Sequence, residues 1–222
     1  MKKNTKIKVF TLMLVIMLLS IAIVGGSLAW FTAEDEVTNT FTVGSVEVKI
    51  NEDFKSPETM LPVVNMVDPE SDPNFVDKDV RIQNTGKNGA YVQILLAVPS
   101  ELKDADAILW KDVNAEDWGE RTYIEPVEID NCKYYVYRYR YQKELAPGNE
   151  TSDTITGVYL NAALDYDNDN NCYIMDGKAI EGYSLERTIK VYVVAQAVQS
   201  KDFENAEDAL NQTFGNTLPA FQ

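Results

Sequence analysis

Histidine is absent from the 222-residue chain, and its absence narrows the chemistry that the chain can perform. Ser-His-Asp and Cys-His catalysis, the HExxH zinc-peptidase motif and three-histidine zinc sites all use imidazole as a base or a metal ligand. Chemistry carried by carboxylates alone, as in glycosidases or aspartic peptidases, needs no histidine, but no motif for it is present. The sequence therefore predicts no catalytic residues, and we expect the protein not to be an enzyme.

Basic residues are also scarce. The chain has 20 Lys and Arg against 35 Asp and Glu, a formal net charge of −15. Because so acidic a surface repels phosphate backbones and anionic lipids, nucleic acid is not expected as a partner. The charge is typical of a protein that must stay soluble after export. Alternatively, the excess carboxylates bind divalent cations outside the cell.

A signal peptide is predicted over residues 1–29. Four lysines lie within the first eight residues, an uncharged and mostly apolar run covers residues 9–24, and small residues precede Trp30. This pattern predicts cleavage between Ala29 and Trp30, and hence a protein secreted to the extracellular matrix or cell surface. The alternative is an uncleaved membrane anchor, because residues 9–31 are uncharged and long enough to span a bilayer.

Cysteine is limited to Cys132 and Cys172. Export would place both in a compartment that permits disulfides. A disulfide between them would close a loop of about 40 residues and stabilise the fold by roughly 4 kcal/mol on the chain-entropy model. The alternative is two separate buried thiols, since sequence alone does not show that they meet.

Alternating apolar and polar residues predict six to eight strands and one short helix after residue 205, capped by Asn205. No alternation of strands with helices is present, so we expect an all-β protein, an antiparallel β-sandwich or jelly roll formed as a single domain by residues 30–222. The predicted strands cover residues 41–50, 79–83, 90–98, 132–141, 154–164 and 185–198. The proline-rich residues 51–77 predict an irregular connection.

A tyrosine ladder occupies every second position of one predicted strand: Tyr135, Tyr137, Tyr139 and Tyr141. Spacing of two places the rings on one face of the strand, where cross-strand packing is the expected role. A carbohydrate-binding face is the alternative.

One acidic segment has the spacing of a cation site. Asp165, Asp167 and Asp169 alternate, and Asp176 is twelfth counting from Asp165. Oxygen ligands at alternate positions suit Ca²⁺, so these four aspartates are the candidate calcium ligands, and no other cofactor is expected. A solvated turn is the alternative, because Asn170 replaces the usual glycine and strands flank the segment.

Several motifs resemble those of the TasA/camelysin family, exported proteins of Gram-positive bacteria whose leaders are processed by a SipW-type signal peptidase. The resemblance is carried by GGSLAWFT at residues 25–32 and VTNTFTVG at residues 37–44. Weaker matches follow in the family's order: NTG at residues 84–86, LAPGNET at residues 145–151 and AQAVQ at residues 195–199.

The resemblance implies a jelly-roll subunit of biofilm-matrix fibres, which assembles with itself and with accessory matrix proteins. It also implies that the flexible segment 30–43 is donated to a neighbouring subunit as a strand. The side chains expected to fill the neighbour's pockets are Phe31, Val37, Phe41 and Val43. A monomeric surface binding module or adhesin is the alternative, with Ca²⁺ dependence and carbohydrate binding as open options. The family's metallopeptidase activity is a second alternative, which a sequence without histidine does not favour.

Overall fold

The computed structural model describes residues 32–36, 39–40, 46–54, 60–184 and 188–221. Within these residues the chain forms short strands and a few helical turns. The strands are β1 Thr32–Glu36, β2 Asn39–Thr40, β3 Val48–Phe54, β4 Val76–Asn84, β5 Ala90–Pro99, β6 Ile108–Asp112, β7 Thr122–Ile129, β8 Cys132–Arg140, β9 Ile155–Leu160, β10 Leu164–Asp167, β11 Cys172–Met175, β12 Lys178–Ala179 and β13 Tyr192–Gln199. The helices are α1 Ser100–Asp104, α2 Ala115–Trp118 and α3 Ala206–Thr213, with a 3₁₀ turn at Pro69–Ser71. No helix among the described residues has the length and apolar character needed to cross a membrane.

The strands form two main sheets and a small third one. The six-stranded sheet has the order β2-β1-β13-β5-β8-β7, and the four-stranded sheet has the order β3-β4-β9-β6. A three-stranded sheet, β10-β11-β12, follows β9 in the chain. Neighbouring strands are antiparallel in all three. The prediction of an all-β, antiparallel fold with a short C-terminal helix is therefore confirmed.

Two connections define the ends of the sandwich. A short turn, residues 85–89, joins β4 to β5, so Asn84 and Ala90 lie at the same end, which we call the upper end. At the opposite, lower end, β5 stops at Pro99 and α1 leads into β6. Strand β13 rises from the lower to the upper end, because Tyr192 pairs with Ala97 and Gln199 pairs with Ala90.

The main core fills the space between the two sheets. Alternate residues of β5 and β13 point into it, so that Val92, Ile94 and Leu96 meet residues from the four-stranded sheet such as Val80 and Ile82. These five side chains are at most 2% exposed. Period-two alternation along each strand places the apolar set on the inner face, and burial of that set is the main stabilising contribution.

The outer face of the six-stranded sheet is also covered. Helix α3 packs Leu210 and Phe214 against Tyr91 and Val198, and the C-terminal Phe221 packs in a second cluster on the same sheet. The Asn205 side chain caps α3 by accepting a hydrogen bond from the Asp208 N–H at 2.9 Å, as the sequence predicts. As a result β5 is buried at every position.

Candidate functional site

The first described strand lies along β13. Strand β1 pairs with β13 in five register positions, from Thr32 opposite Val198 to Glu36 opposite Val194. Strand β2 then turns back beside β1, with Asp35 opposite Thr40. The most N-terminal strand of the structure therefore covers one edge of the six-stranded sheet.

Strand β13 has the burial of an interior strand. Its side chains from Val193 to Val198 are at most 3% exposed and are covered on both faces, by the main core inside and by the C-terminal segment outside. An interior strand needs partners for its backbone N–H and C=O groups on both sides. Strand β5 supplies one side and β1 supplies the other. Without β1, β13 would present an open edge with nothing to protect it.

A buried polar network fixes β13 in register with its inner neighbour. Gln93 Nε2 of β5 donates to Gln196 Oε1 of β13 at 2.6 Å, and both side chains are 1% exposed. Arg140 of β8 donates through Nε to Gln93 Oε1 at 3.4 Å and through Nη2 to Asn211 Oδ1 of α3 at 2.5 Å. Satisfied buried polar groups specify one arrangement of a core. The network therefore links β13 through β5 and β8 to α3.

The opposite edge of the same sheet is built differently. Strand β7 carries Pro126 within its length, and its register with β8 shifts between Tyr123 and Pro126. Glu125 and Glu128 on this strand are exposed. Proline removes a backbone donor, and a bulge or an exposed charge discourages pairing with another strand. Strand β7 therefore ends the sheet, whereas β13 requires a partner.

The tyrosine ladder packs against the main core, with Tyr139 and Tyr141 buried and Tyr135 and Tyr137 partly buried. Tyr139 and Tyr141 are 2% and 9% exposed. Tyr139 Oη donates to Asp112 Oδ1 at 2.6 Å and accepts a hydrogen bond from Trp110 Nε1 at 2.7 Å. Burial, followed by the charge of Asp112, raises the pKa of Tyr139 above the usual tyrosine range. The structure shows the ladder packing the two sheets together, as cross-strand packing predicts.

A cleft of about 300 Å³ opens beside this cluster, lined by Tyr139 and by residues of the connection from β6 to β7. Arg121 and Asp112, both in its lining, form an ion pair at 2.5 Å, and the guanidinium lies 4.9 Å from the centre of the Trp110 ring. Asp112 thus accepts hydrogen bonds from Arg121 and Tyr139. These bonds connect β6 to β8, so Asp112 and Arg121 have a structural role.

The four aspartates of the predicted calcium site are not brought together. Asp165 and Asp167 lie on β10 and Asp169 lies in the turn to β11, but Asp176 follows Met175, which pairs with Leu164 at the far end of the hairpin. Asp167 accepts hydrogen bonds from the backbone N–H of Asp169 at 2.9 Å and of Asn170 at 3.1 Å.

The side-chain amide of Asn170 also donates to Asp167, at 2.6 Å, and is the largest cause of the lowered pKa of that carboxyl. The hairpin is thus a solvated turn stabilised by Asp167, and its geometry does not support one calcium site formed by all four residues.

The predicted disulfide is not present in the structure. Cys132 begins β8 in the six-stranded sheet, and Cys172 begins β11 in the small sheet. Both are partly buried thiols. The two cysteines are 40 positions apart in the sequence, which does not determine whether their side chains are close. The fold places them in different sheets.

Other predicted site residues lie outside the described residues. These are the cleavage positions Ala29 and Trp30 and the assembly residues Phe31, Val37, Phe41 and Val43. The cleavage site and the assembly side chains therefore remain predictions.

Comparison with known protein families identifies this chain's family. A family profile described as camelysin metallo-endopeptidase matches residues 1–170, which run from the predicted signal peptide to the β10–β11 turn. No curated protein matches the chain.

A metallopeptidase requires a metal ion held by several ligating side chains. The sequence has no histidine, and the described residues include no group of three or more Cys, Asp or Glu side chains arranged to hold a metal ion.

Proposed function

The chain belongs to the camelysin metallo-endopeptidase family, and we propose that it is a structural subunit that polymerises by exchanging its first strand between copies. In this proposal the protein is secreted to the cell surface after a SipW-type signal peptidase removes residues 1–29. Its fibres form part of a biofilm matrix, together with accessory matrix proteins. The predicted leader supports the export step.

The observation that carries the proposal is the edge of β13. This strand is buried on both faces and held by its own polar network, yet its outer edge is closed only by a short strand near the start of the chain. An extended segment that completes an open sheet edge binds through its backbone, and the same hydrogen bonds form whether the segment comes from the same copy or from another.

Exchange has one acceptor edge in this sheet. Pro126 and the register shift protect β7 against pairing with a second copy. The outermost strand on the other side, β2, is only two residues long. Once β1 leaves, β13 is the one long unprotected edge of this sheet. Each copy would then accept one strand and donate one strand, so exchange would extend a linear fibre.

The proposal is tested by sedimentation of two proteins at equal concentration, residues 30–222 and residues 45–222. We expect large species from the longer protein and monomers from the shorter one, because the shorter one lacks β1. If both stay monomeric under every condition in which the longer protein is folded, assembly by this strand is ruled out.

Cross-linking separates exchange from other modes of assembly. Ala33 and Ala197 are register partners, and partners in antiparallel strands lie about 4.5–5.5 Å apart, within the range of a disulfide. The variant with both changed to Cys, and with Cys132 and Cys172 changed to Ser, should cross-link within one chain when dilute. After assembly it should give a ladder of covalent oligomers. Assembled material that still cross-links only within each chain would contradict exchange.

The family description also favours a peptidase, although the described part of the chain offers no group of three or more acidic or Cys side chains that could hold a metal ion. Turnover of casein by the purified protein, abolished by a chelator, would establish that activity. If no turnover is observed, the structural role is the function that the structure supports.

A further inference from the structure

Exposed large hydrophobic side chains are concentrated in one loop. Of the five found among the described residues, four lie between positions 61 and 67, and the fifth is Tyr123 on β7. The four are Leu61, Val64, Met66 and Val67, which are 46%, 85%, 40% and 97% exposed. We call residues 61–67 the apolar loop. It contains no charged residue.

The loop is held in a fixed shape by Asp72. The Asp72 carboxylate, 8% exposed, accepts hydrogen bonds from the backbone N–H of Val64 at 2.7 Å, Asn65 at 3.0 Å and Asn74 at 2.9 Å. These bonds lower the pKa of Asp72, with that from Asn74 the largest cause. Asn65 Oδ1 in turn accepts from the Val67 N–H at 3.1 Å.

One residue anchors the loop to the core. Val63 is 1% exposed, and its N–H donates to the Leu160 carbonyl of β9 at 3.0 Å. Because the backbone is anchored on both sides of Val64, the exposure of its side chain is built into the fold. Rigid apolar patches exposed on a soluble protein mark interaction sites.

The apolar loop lies at the lower end of the sandwich. Pro62 bridges to Leu160, which pairs with Ile108 where β6 begins. Strand β1 runs toward the same end, since Thr32 pairs near the top of β13 and Glu36 pairs near its bottom. Strand β2 reverses the chain by only two residues. Thr40, the last residue of β2, lies opposite Asp35 and hence level with Ala195, so an exchanged strand would leave its acceptor near the middle of β13, three residues above Tyr192 at its lower end.

We infer, resting on the proposed strand exchange, that the apolar loop is the surface on which the next copy of this chain docks in the fibre. Thr40 and Val46 are joined by six Cα–Cα steps, which reach at most about 20 Å. The body of the donor must therefore lie within that distance of the point where its strand leaves the acceptor. The acceptor's own β3 already contacts β1, so the donor body cannot take that position. The lower end of β13, roughly 10 Å from Ala195, lies within the reach of the linker.

Charge favours a second copy as the occupant. Without the leader and its four lysines, each copy has 16 Lys and Arg against 35 Asp and Glu, so two copies with a net charge of −19 each repel one another over most of their surfaces. An uncharged, apolar contact is where such copies approach at the lowest electrostatic penalty. The same negative charge disfavours an anionic lipid surface as the occupant.

The test compares three forms of residues 30–222: the wild-type sequence, the double variant Val64→Asn/Val67→Asn, and Tyr123→Asn as a matched control for loss of exposed apolar surface. The readout is the critical concentration for assembly, measured by sedimentation. We expect the double variant to raise it by at least about tenfold, since two valine side chains lose their burial in the fibre. The control should leave it near the wild-type value. The melting temperature of the monomeric double variant should match wild type, because both valines are mostly exposed.

The outcomes separate this inference from the proposed function. If the wild-type protein does not assemble, both fail. If it assembles and the double variant assembles at the same concentration, strand exchange stands and the docking surface is overturned. If the double variant assembles normally but loses binding to phosphatidylcholine vesicles that the wild-type protein shows, the loop binds lipid, which also overturns the inference.

Discussion

Removal of β1 should destabilise the monomer, and the size of the effect follows from the pairing. A protein that starts at residue 45 keeps Val46, which is fully buried in the main core, and loses only the segment ahead of it. The five register positions with β13 then vanish, while the polar network between Gln93 and Gln196 remains.

Antiparallel pairing contributes about one hydrogen bond per register position, and each is worth about 1 kcal/mol net. Truncation should therefore lower the free energy of unfolding by about 5 kcal/mol. Since a domain of this size shifts its melting temperature by roughly 2–4 °C per kcal/mol, the expected fall is about 10–20 °C. The shorter protein should still fold, because whole-domain stabilities are about 5–15 kcal/mol.

The assay is thermal unfolding of the shorter protein with and without a synthetic peptide of residues 30–43. A peptide present at about 100 times its Kd restores about 2.7 kcal/mol, so the melting temperature should rise by about 5–10 °C and increase further with the logarithm of the peptide concentration.

The control peptide has proline in place of both Ala33 and Glu34. Neighbouring N–H groups of a strand point in opposite directions, so one of the two prolines removes a donor directed at β13. Equal stabilisation by the two peptides, or equal melting temperatures of the long and short proteins, would refute the reasoning.

Two further predictions concern the sandwich itself. Gly157→Ala should lower the free energy of unfolding by about 1–3 kcal/mol in urea titrations, because a Cβ at Gly157 would lie 2.2 Å from the ring of Phe75. A change below about 0.5 kcal/mol would show that the ring moves aside without loss. Lys143, the largest cause, and then Ser152 lower the pKa of Asp117 by hydrogen bonding. Stability from Asp117 is thus present above the unfolded pKa of about 3.9 and is lost as pH falls through the lower folded value. The melting temperature of Asp117→Asn should depend less on acid pH than that of wild type, and identical pH profiles would contradict this.

Local alternation was sufficient to predict the central strands. The predicted segments 79–83, 90–98 and 132–141 lie within or match β4, β5 and β8. These strands have apolar residues at period two or continuously, which is typical of strands buried on one or both faces. The helix after Asn205 could also be predicted from the sequence, because its cap and apolar stripe are local features.

Strands whose partners are distant, or whose residues are exposed, were not predicted. Strand β7 carries proline and several exposed polar residues, so its sequence does not alternate clearly. The predicted strand 154–164 is divided, with β9 ending at Leu160 and β10 beginning at Leu164. The proline-rich segment 51–77 begins with the last residues of β3, because pairing with β4 overrides the weak local preference.

The candidate site could be predicted only in part from the sequence, because it too depends on pairing between distant residues. A resemblance indicated that the start of the chain is an assembly strand, but its acceptor depends on which strand has an uncovered edge. That edge is a property of sheet order, set by pairs such as Ala33 and Ala197 that are far apart in sequence. The apolar loop was not predicted, because it lies within a segment predicted only as irregular. The exposure of Val64 depends on the tertiary contacts of Asp72.

Strand exchange also determines which substitutions can control assembly. The β1–β13 hydrogen bonds are the same within one copy and between copies, so they stabilise monomer and fibre alike and do not shift the balance between them. Net assembly must come from contacts that exist only between copies, and the apolar loop is the surface that supplies them in our proposal. Ala33→Gly, which weakens a strand without removing it, should therefore lower the melting temperature of monomer and fibre while leaving the critical concentration within about threefold of wild type. Val64→Asn/Val67→Asn should do the reverse. If Ala33→Gly raised the critical concentration as much as the loop variant did, the strand would contribute more between copies than within one, and the loop would not be the source of the net assembly energy.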